Sequence, residues 1–104
     1  MILNFNFHRE QLQKGIGTSF RPKGNSMSPK IQSGQLVHVT SETSDIVEGD
    51  IVFCKVRGRF YVHLVSAIKK EGDNTLYQIS NNKGYVNGWI GINSVFGKIT
   101  SVED

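Results

Sequence analysis

The sequence predicts a mostly β fold, closed or nearly closed, with one short helix near its N-terminus. Val, Ile and Thr together number 25 of the 104 residues, whereas Ala occurs once and Leu five times. β-branched residues favour strands because their side chains pack well on a pleated surface, and the scarcity of Ala and Leu argues against a helical architecture. The 11 glycines supply turns between short strands.

The predicted elements are one helix followed by seven strands. The helix covers residues 8–14 (HREQLQK), which are mostly good helix formers, and Gly15 can end it. The strands are predicted over residues 18–21, 35–40, 50–56, 59–68, 75–80, 84–90 and 95–101. The third and fourth strands flank Gly58, as in a β-hairpin with a left-handed glycine at its tip. Short strands at this spacing are typical of a closed or nearly closed all-β fold.

The length of the chain predicts a single domain. We expect residues 1–17 to form a helical lead-in and residues 18–104 to form the core. No run of 18 apolar residues is present, and the first ten residues lack the basic and apolar regions of a signal peptide. The sequence therefore predicts a cytoplasmic protein without a membrane anchor.

Charge and cysteine content narrow the function classes further. The formal net charge is +3, but the lysines and arginines are scattered, which favours a charged solvent-facing surface over a phosphate-binding stripe. Cys54 lies in the apolar run IVFCKV, so we interpret it as a buried structural thiol, the alternative being a reactive one. No CxxC or HxxxH spacing occurs, and we expect neither a metal nor a cofactor.

The most informative motif lies in the loop after the first strand. It is the segment Gly24-Asn25-Ser26-Met27-Ser28-Pro29. A serine on a rigid turn bounded by Gly24 and Pro29 suits a nucleophile, because its hydroxyl is exposed and nearby backbone N–H groups can bind an oxyanion. The same composition is also that of an ordinary turn. We expect Met27 to anchor this loop in a core that includes Val52, Phe53, Val62 and Val65.

Residues 20–31 (FRPKGNSMSPKI) resemble the serine box of the peptidase clan that contains signal peptidase I and the LexA-like self-cleaving domains of SOS and phage repressors. In that clan Ser-Met-x-Pro carries the nucleophile, and a Gly-Asp-x-Val strand follows. Residues 34–37 (GQLV) and 49–52 (GDIV) both resemble that strand, and residues 79–84 and 95–99 resemble the closing segment. The resemblance spans about residues 18–100. It implies a fold of small, coiled, partly barrel-like antiparallel sheets.

The resemblance also implies the catalytic groups. The clan's general base follows the second Gly-Asp-x-Val strand, and His63 in the segment YVHLV matches the histidine form rather than the lysine form. Ser26 would then attack a peptide carbonyl while His63 takes its proton, with backbone N–H groups of the Gly24–Ser26 turn around the oxyanion. No carboxylate is placed to orient the imidazole, so a backbone carbonyl or an amide such as Asn82 would have to orient it. Loss of an orienting carboxylate slows triad enzymes by about 10⁴-fold, so a slow enzyme is expected.

Two functions remain open at this point. The first is a soluble serine endopeptidase that uses a Ser26–His63 dyad. Its substrate, a protein or peptide, would bind as an added β-strand with a small residue before the cut. The sequence lacks the Ala-Gly and Cys-Gly sites at which the repressors cut themselves, so cleavage would occur in trans.

The alternative is a catalytically weak or inactive module of the same fold that holds a peptide or protein partner in its strand groove. Leu64 stands where the clan usually has Arg, and Asn81 and Asn82 stand where the histidine-type enzymes have an Asp. Without the resemblance, Ser26 would be a turn serine and His63 a partly buried strand histidine; we interpret His38 as structural. A DNA-binding repressor is discounted because only about 17 residues precede the resemblance.

Overall fold

One helix, one 3-10 turn and seven strands form the fold in the computed structural model, which describes residues 5–104. In chain order the elements are α1 (Phe5–Gln13), β1 (Thr18–Phe20), β2 (Leu36–Thr40), β3 (Ile51–Val56), β4 (Arg59–Glu71), β5 (Asn74–Ser80), β6 (Val86–Gly91), the 3-10 turn (Ile92–Ser94) and β7 (Val95–Glu103). The predicted fold class, mostly β with one short N-terminal helix, is confirmed. No helix among the described residues is long and apolar enough to cross a bilayer.

The element boundaries differ from the predicted ones where tertiary contacts extend an element. The helix begins at Phe5 rather than at residue 8, because the Phe5 ring packs on Phe20, Phe53 and Phe60 at centroid distances of 5.4–5.8 Å. Strand β7 runs on to Glu103, which pairs with Leu36 of β2. Packing and strand pairing override local propensity in both places.

All seven strands belong to one antiparallel sheet with the order β1-β2-β7-β3-β4-β5-β6. The last strand thus enters between β2 and β3, which joins the two halves of the chain. The sheet curls strongly: a Cβ on Gly88 of β6 would lie 3.3 Å from the Val56 side chain of β3, three strands away in the sheet order. This curvature agrees with the coiled, partly barrel-like form that the resemblance implies.

Strand β3 is buried on both faces and separates two cores. Phe53 belongs to the core under the helix, which we call the helix-side core; its buried members are Leu12, Phe20, Met27, Ile31, Val37, Val39, Phe53 and Val62. Val52 and Cys54 point to the opposite side, into the second core, whose buried members are Ile46, Val52, Cys54, Val56, Val65, Tyr77, Ile79, Ile90 and Val95. The split follows from the two-residue period of a strand.

The five residues predicted to pack together are all buried, but they do not form one cluster. Met27, Phe53 and Val62 lie in the helix-side core, whereas Val52 and Val65 lie in the second core. Only the first three therefore anchor the loop that carries Ser26. Cys54 is fully buried, and burial raises the pKa of its thiol to about 12, as expected for a structural thiol that stays protonated at neutral pH.

Gly97 permits the close approach of β7 to β2 beneath the helix. A Cβ at this position would lie 2.5 Å from Val39 Cγ1, 2.6 Å from the Thr40 carbonyl oxygen and 3.2 Å from Leu12 Cδ2. Because one of these neighbours is backbone, relief would require the strands to move apart. The glycine is therefore a packing requirement of the helix-side core.

We expect Gly97→Ala to lower the free energy of unfolding by at least about 1–3 kcal/mol, the usual range for overpacking a core. Urea denaturation followed by circular dichroism measures this loss. Gly91→Ala is the matched control, since Gly91 is also a strand glycine and a Cβ there would meet nothing within 4 Å. An equal effect of both substitutions would show that the close approach at Gly97 is not what limits the side chain.

Met27 is 4% exposed and anchors the serine loop to the helix-side core. We expect Met27→Ala to lower the free energy of unfolding by about 2–5 kcal/mol, because the substitution truncates a buried side chain. Met27→Leu, which keeps the volume, should lower it by less than about 1.5 kcal/mol. A loss below about 0.5 kcal/mol for the alanine variant would show that the loop is anchored in another way.

Candidate active site

The loop between β1 and β2 is closed at its base by three hydrogen bonds. The Gly34 N–H donates to the Pro22 carbonyl at 2.9 Å, and the Arg21 guanidinium donates to the Gly34 carbonyl at 2.9 Å. The Gly24 N–H donates to Ser33 Oγ at 3.0 Å. These bonds join the two ends of the loop, so its tip is held like a rigid turn rather than a mobile connection.

The tip of this loop presents Ser26 to solvent while its neighbour Met27 points inward. Ser26 is exposed and Met27 is buried. The Ile31 N–H donates to the Met27 carbonyl at 3.1 Å, which forms a helical turn after the serine. Gly24 has φ = +107° with open space around a would-be Cβ, so this position needs glycine for its backbone conformation and not for a close contact. The Ser28–Pro29 peptide bond is cis.

His63 projects from β4 toward the serine. Its Nε2 lies 3.0 Å from Ser26 Oγ, within the range in which a base takes a proton from a nucleophile. His63 is only 6% exposed, and its ring packs on the Tyr61 ring at a centroid distance of 4.7 Å. The structure thus brings together the two predicted groups, which are 37 positions apart in the sequence.

Asn87 of β6 holds the other side of the imidazole. Its Oδ1 lies 2.7 Å from His63 Nδ1. An amide oxygen only accepts hydrogen bonds, so Nδ1 carries the proton and Nε2 is left as an acceptor for the Ser26 hydroxyl. Ser26, His63 and Asn87 therefore form a hydrogen-bonded chain in the order required of a nucleophile, a base and an orienting group.

Asn82, the candidate orienting group from the sequence, forms no hydrogen bond with His63. Its side-chain amide donates to the Ser28 carbonyl at 2.9 Å, and its backbone N–H donates to the Ser26 carbonyl at 2.9 Å. Asn82 therefore ties the serine loop to the segment after β5. Sequence reasoning missed Asn87, although one signal was present: asparagine is depleted in strands, and Asn87 stands inside a predicted strand.

Burial sets the protonation state of His63. Removal from water lowers the pKa of the imidazole below its usual range, and the hydrogen bond with Asn87 opposes this effect only in part. The ring is therefore neutral at pH 7. A neutral imidazole is the form that can accept the proton of Ser26.

Backbone N–H groups near Ser26 are available to bind an oxyanion, but fewer than the sequence predicted. The Gly24 N–H is used by Ser33. The N–H groups of Asn25 and Ser26 have no hydrogen-bond acceptor within residues 5–104. These two groups are the remaining candidates for the oxyanion site, since an N–H that is already bonded inside the loop cannot turn to a substrate.

A cleft of about 120 Å³ adjoins the serine, and we call it the primary cleft. Its lining includes Pro22, Lys23 and Gly24 of the serine loop, and Phe60, Tyr61 and Val62 of β4. Strand β4 pairs with β3 over residues 59–64, but its pairing with β5 begins only at Leu64. One backbone edge of residues 59–63 thus lies outside the ladder and can pair with an added strand.

The two other histidines lie away from this cleft. His38 of β2 contacts Ser19 Oγ through Nδ1 at 2.7 Å and Glu103 through Nε2 at 3.2 Å, on a partly exposed face of the sheet. His8 of α1 contacts Thr18 Oγ1 at 2.6 Å, and burial lowers its pKa. Both histidines link neighbouring elements at the β1 side of the fold.

Comparison with known proteins identifies the family to which the chain belongs. A family model described as Peptidase S24-like matches residues 9–99, which include the serine loop, β4 and β6. A search of curated proteins found no match. The match covers most of the chain and all three residues of the hydrogen-bonded chain, Ser26, His63 and Asn87. The protein is a member of the Peptidase S24-like family.

Proposed function

We propose that the protein is a serine endopeptidase that cuts a protein or peptide in trans, with Ser26 as nucleophile and His63 as general base. The observation that carries this proposal is the 3.0 Å contact between Ser26 Oγ and a buried His63 that is held on its other side by Asn87. An exposed serine bonded to a neutral imidazole of defined tautomer is the arrangement of an activated nucleophile.

In the first half of the reaction, Ser26 Oγ attacks the carbonyl carbon of the scissile bond and its proton passes to His63 Nε2. The negative charge that develops on the carbonyl oxygen is stabilised by the N–H groups of Asn25 and Ser26. As the tetrahedral intermediate collapses, the C–N bond breaks and the imidazolium returns the proton to the departing amine. The product of this half is an acyl-enzyme ester on Ser26.

In the second half, a water molecule takes the place of the amine. His63 accepts a proton from the water as its oxygen attacks the ester carbonyl. Collapse of the second intermediate releases the carboxylic acid, and the proton returns to Ser26 Oγ. Histidine can do this at neutral pH, since its ordinary pKa of about 6.5 needs no large shift.

Asn87 acts as a positioning residue in this scheme. It keeps the Nδ1 proton in place, but a neutral amide stabilises the imidazolium less than a carboxylate does. We therefore expect turnover to be slower than in enzymes that have an acid at this position. The substrate would lie extended along residues 59–62, with alternate side chains directed into the primary cleft.

A binding module of the same fold remains the second candidate function. The observation that favours it is the amide, in place of a carboxylate, behind His63. In this alternative the groove holds a peptide or partner protein, and the Ser26–His63 contact stabilises the loop. The two functions differ in whether Ser26 reacts.

We expect a fluorophosphonate probe to label Ser26, because it reports on an activated serine without requiring a known substrate. Ser26→Ala should abolish labelling, and His63→Ala should slow it by about 10²–10⁴-fold, the usual share of a general base. The double variant that carries both Ser26→Ala and His63→Ala should show the same labelling as Ser26→Ala alone, since the pair acts as a unit. Mass spectrometry of the labelled peptide measures the adduct.

Ser28→Ala is the matched control for this experiment, because Ser28 lies in the same loop two residues further on. Its variant should be labelled at the rate of the parent protein. Labelling that persists in Ser26→Ala, or a parent protein that is not labelled at all, would contradict catalysis and leave the binding module as the function of the groove.

The labelling rate should rise with pH, with a midpoint below the ordinary histidine value of about 6.5, because burial lowers the pKa of His63. Asn87→Asp would place a carboxylate at Nδ1, raise that pKa and move the midpoint upward. Asn87→Ala should reduce the rate by roughly 10²-fold, since the ring is no longer held in place. The measurement is the labelling rate between pH 5 and 9.

Asn93→Asp is the control for added charge, because Asn93 is exposed in the 3-10 turn. Its pH profile should match that of the parent protein. A midpoint that does not move in Asn87→Asp would contradict the positioning role, even if the rate falls.

A further inference from the structure

The charged side chains that line the two clefts around the Ser26–His63 pair are all basic. Lys23 lines the primary cleft. A second cleft of about 230 Å³ contains both arginines of the β3–β4 hairpin; we call it the arginine cleft, and its lining residues are Val56, Arg57, Arg59, Tyr61, Tyr85 and Asn87. Neither lining includes an Asp or a Glu. The site thus has a positive potential that favours an anionic ligand.

The arginine cleft is continuous with the candidate active site. Tyr61 lines both clefts, and its ring packs on the His63 ring. Asn87, which holds His63, also lines the arginine cleft. Because alternate residues of a strand share a face, Arg59, Tyr61 and His63 form one row, with Arg59 about 13 Å from His63 at a rise of about 3.3 Å per residue.

The guanidinium groups of Arg57 and Arg59 have no partner within residues 5–104: neither forms an ion pair or a side-chain hydrogen bond there. Among the described lysines and arginines, two form ion pairs: Lys98 with Asp50 at 3.2 Å and Lys69 with Glu71 at 3.4 Å. A guanidinium presents a planar fork of donors that matches a carboxylate in bidentate geometry. Unpaired arginines beside a peptidase site are thus suited to bind one.

Arg57 lies in the hairpin turn in a backbone conformation that is unfavourable for most residues other than glycine. Arg57 has φ = +50° and Gly58 has φ = +82°, as in a tight two-residue turn. Asn or Gly would adopt positive φ more readily at the first position than Arg does. The choice of Arg is therefore not explained by the turn, whereas a ligand contact in the arginine cleft would explain it.

We propose that the site takes an acidic peptide, with a carboxylate two to four residues from the scissile bond bound by Arg57 and Arg59. The spacing follows from the distance between Arg59 and His63, since an extended peptide advances about 3.3 Å per residue. Tyr61 and Tyr85 line the same cleft, and a tyrosine hydroxyl can donate or accept a further hydrogen bond. Lys23 favours further negative charge in the primary cleft. The inference rests on the proposed function and specifies its substrate class.

Binding by the Ser26→Ala protein tests this proposal separately from catalysis. The probes are two mixtures of fluorescent 13-residue peptides with a central Ala and both ends blocked. They differ only at the positions two to four residues on either side of the Ala, which are Glu in one mixture and Gln in the other. We expect the Glu mixture to bind about 10-fold more tightly at low salt, as for a charge-assisted contact, and the difference to shrink as salt is added. Fluorescence anisotropy measures both affinities.

Arg57→Gln and Arg59→Gln should each reduce the preference for Glu over Gln, whereas Lys70→Gln should leave it unchanged. Lys70 is the matched control because it is an exposed cation of the same strand that lines neither cleft. A Gln mixture with a free C-terminal carboxylate distinguishes a terminal acid from an acidic side chain: tighter binding than its blocked form would assign the cleft to a chain terminus.

Equal binding of the Glu and Gln blocked mixtures, with no gain from a free C-terminus, would overturn the proposal. So would displacement of the Glu mixture by a single-stranded oligonucleotide that binds more tightly, since the cations would then serve nucleic acid. The two proposals can also separate. A Glu preference that depends on the arginines would support the acidic-peptide site even if the parent protein cut neither mixture and were not labelled by the fluorophosphonate. That second result would contradict only the peptidase function.

Discussion

The register of the β3–β4 hairpin is the constraint on which the candidate site depends. In this register Val52 pairs with His63. Val52 is buried in the second core, and its neighbour Phe53 is buried in the helix-side core. A slip of one residue would turn every side chain of β4 to the opposite face and move His63 away from Ser26. Because β3 is buried on both faces, such a slip would also expose apolar side chains, and the register is held by both cores at once.

The serine loop is held beside His63 by two kinds of contact, one apolar and one polar, at different residues of the loop. Met27 fixes the loop from below by burial, and Asn82 fixes it from the side by hydrogen bonds to the Ser26 and Ser28 carbonyls. Neither contact uses the Ser26 hydroxyl or its N–H. The loop is therefore rigid without occupying the groups that the proposed chemistry needs, as preorganised sites require.

No carboxylate of the described residues lines either of the two clefts beside Ser26 and His63. Burial lowers the pKa of the His63 imidazole, the hydrogen bond with Asn87 opposes this only in part, and the ring stays neutral. The lack of carboxylates in the clefts leaves Arg57 and Arg59 without an internal counter-ion among the described residues. An acidic peptide would supply negative charge that this part of the protein does not supply for itself.

Much of the fold and part of the site were determined by the sequence alone. The β-branched composition and the spaced turns predicted the seven strands, because strand propensity and turn chemistry are local properties. The serine box and the position of His63 after the second Gly-Asp-x-Val strand indicated which two residues would meet. Three features depend on contacts between distant parts of the chain, and only the tertiary structure decided them. They are the start of α1 at Phe5, the division of the predicted core between the two faces of β3, and Asn87 rather than Asn82 as the hydrogen-bond partner of His63. Asn87 reaches His63 only because the sheet curls β6 back over β3, and that curvature arises from packing between strands that are distant in the chain.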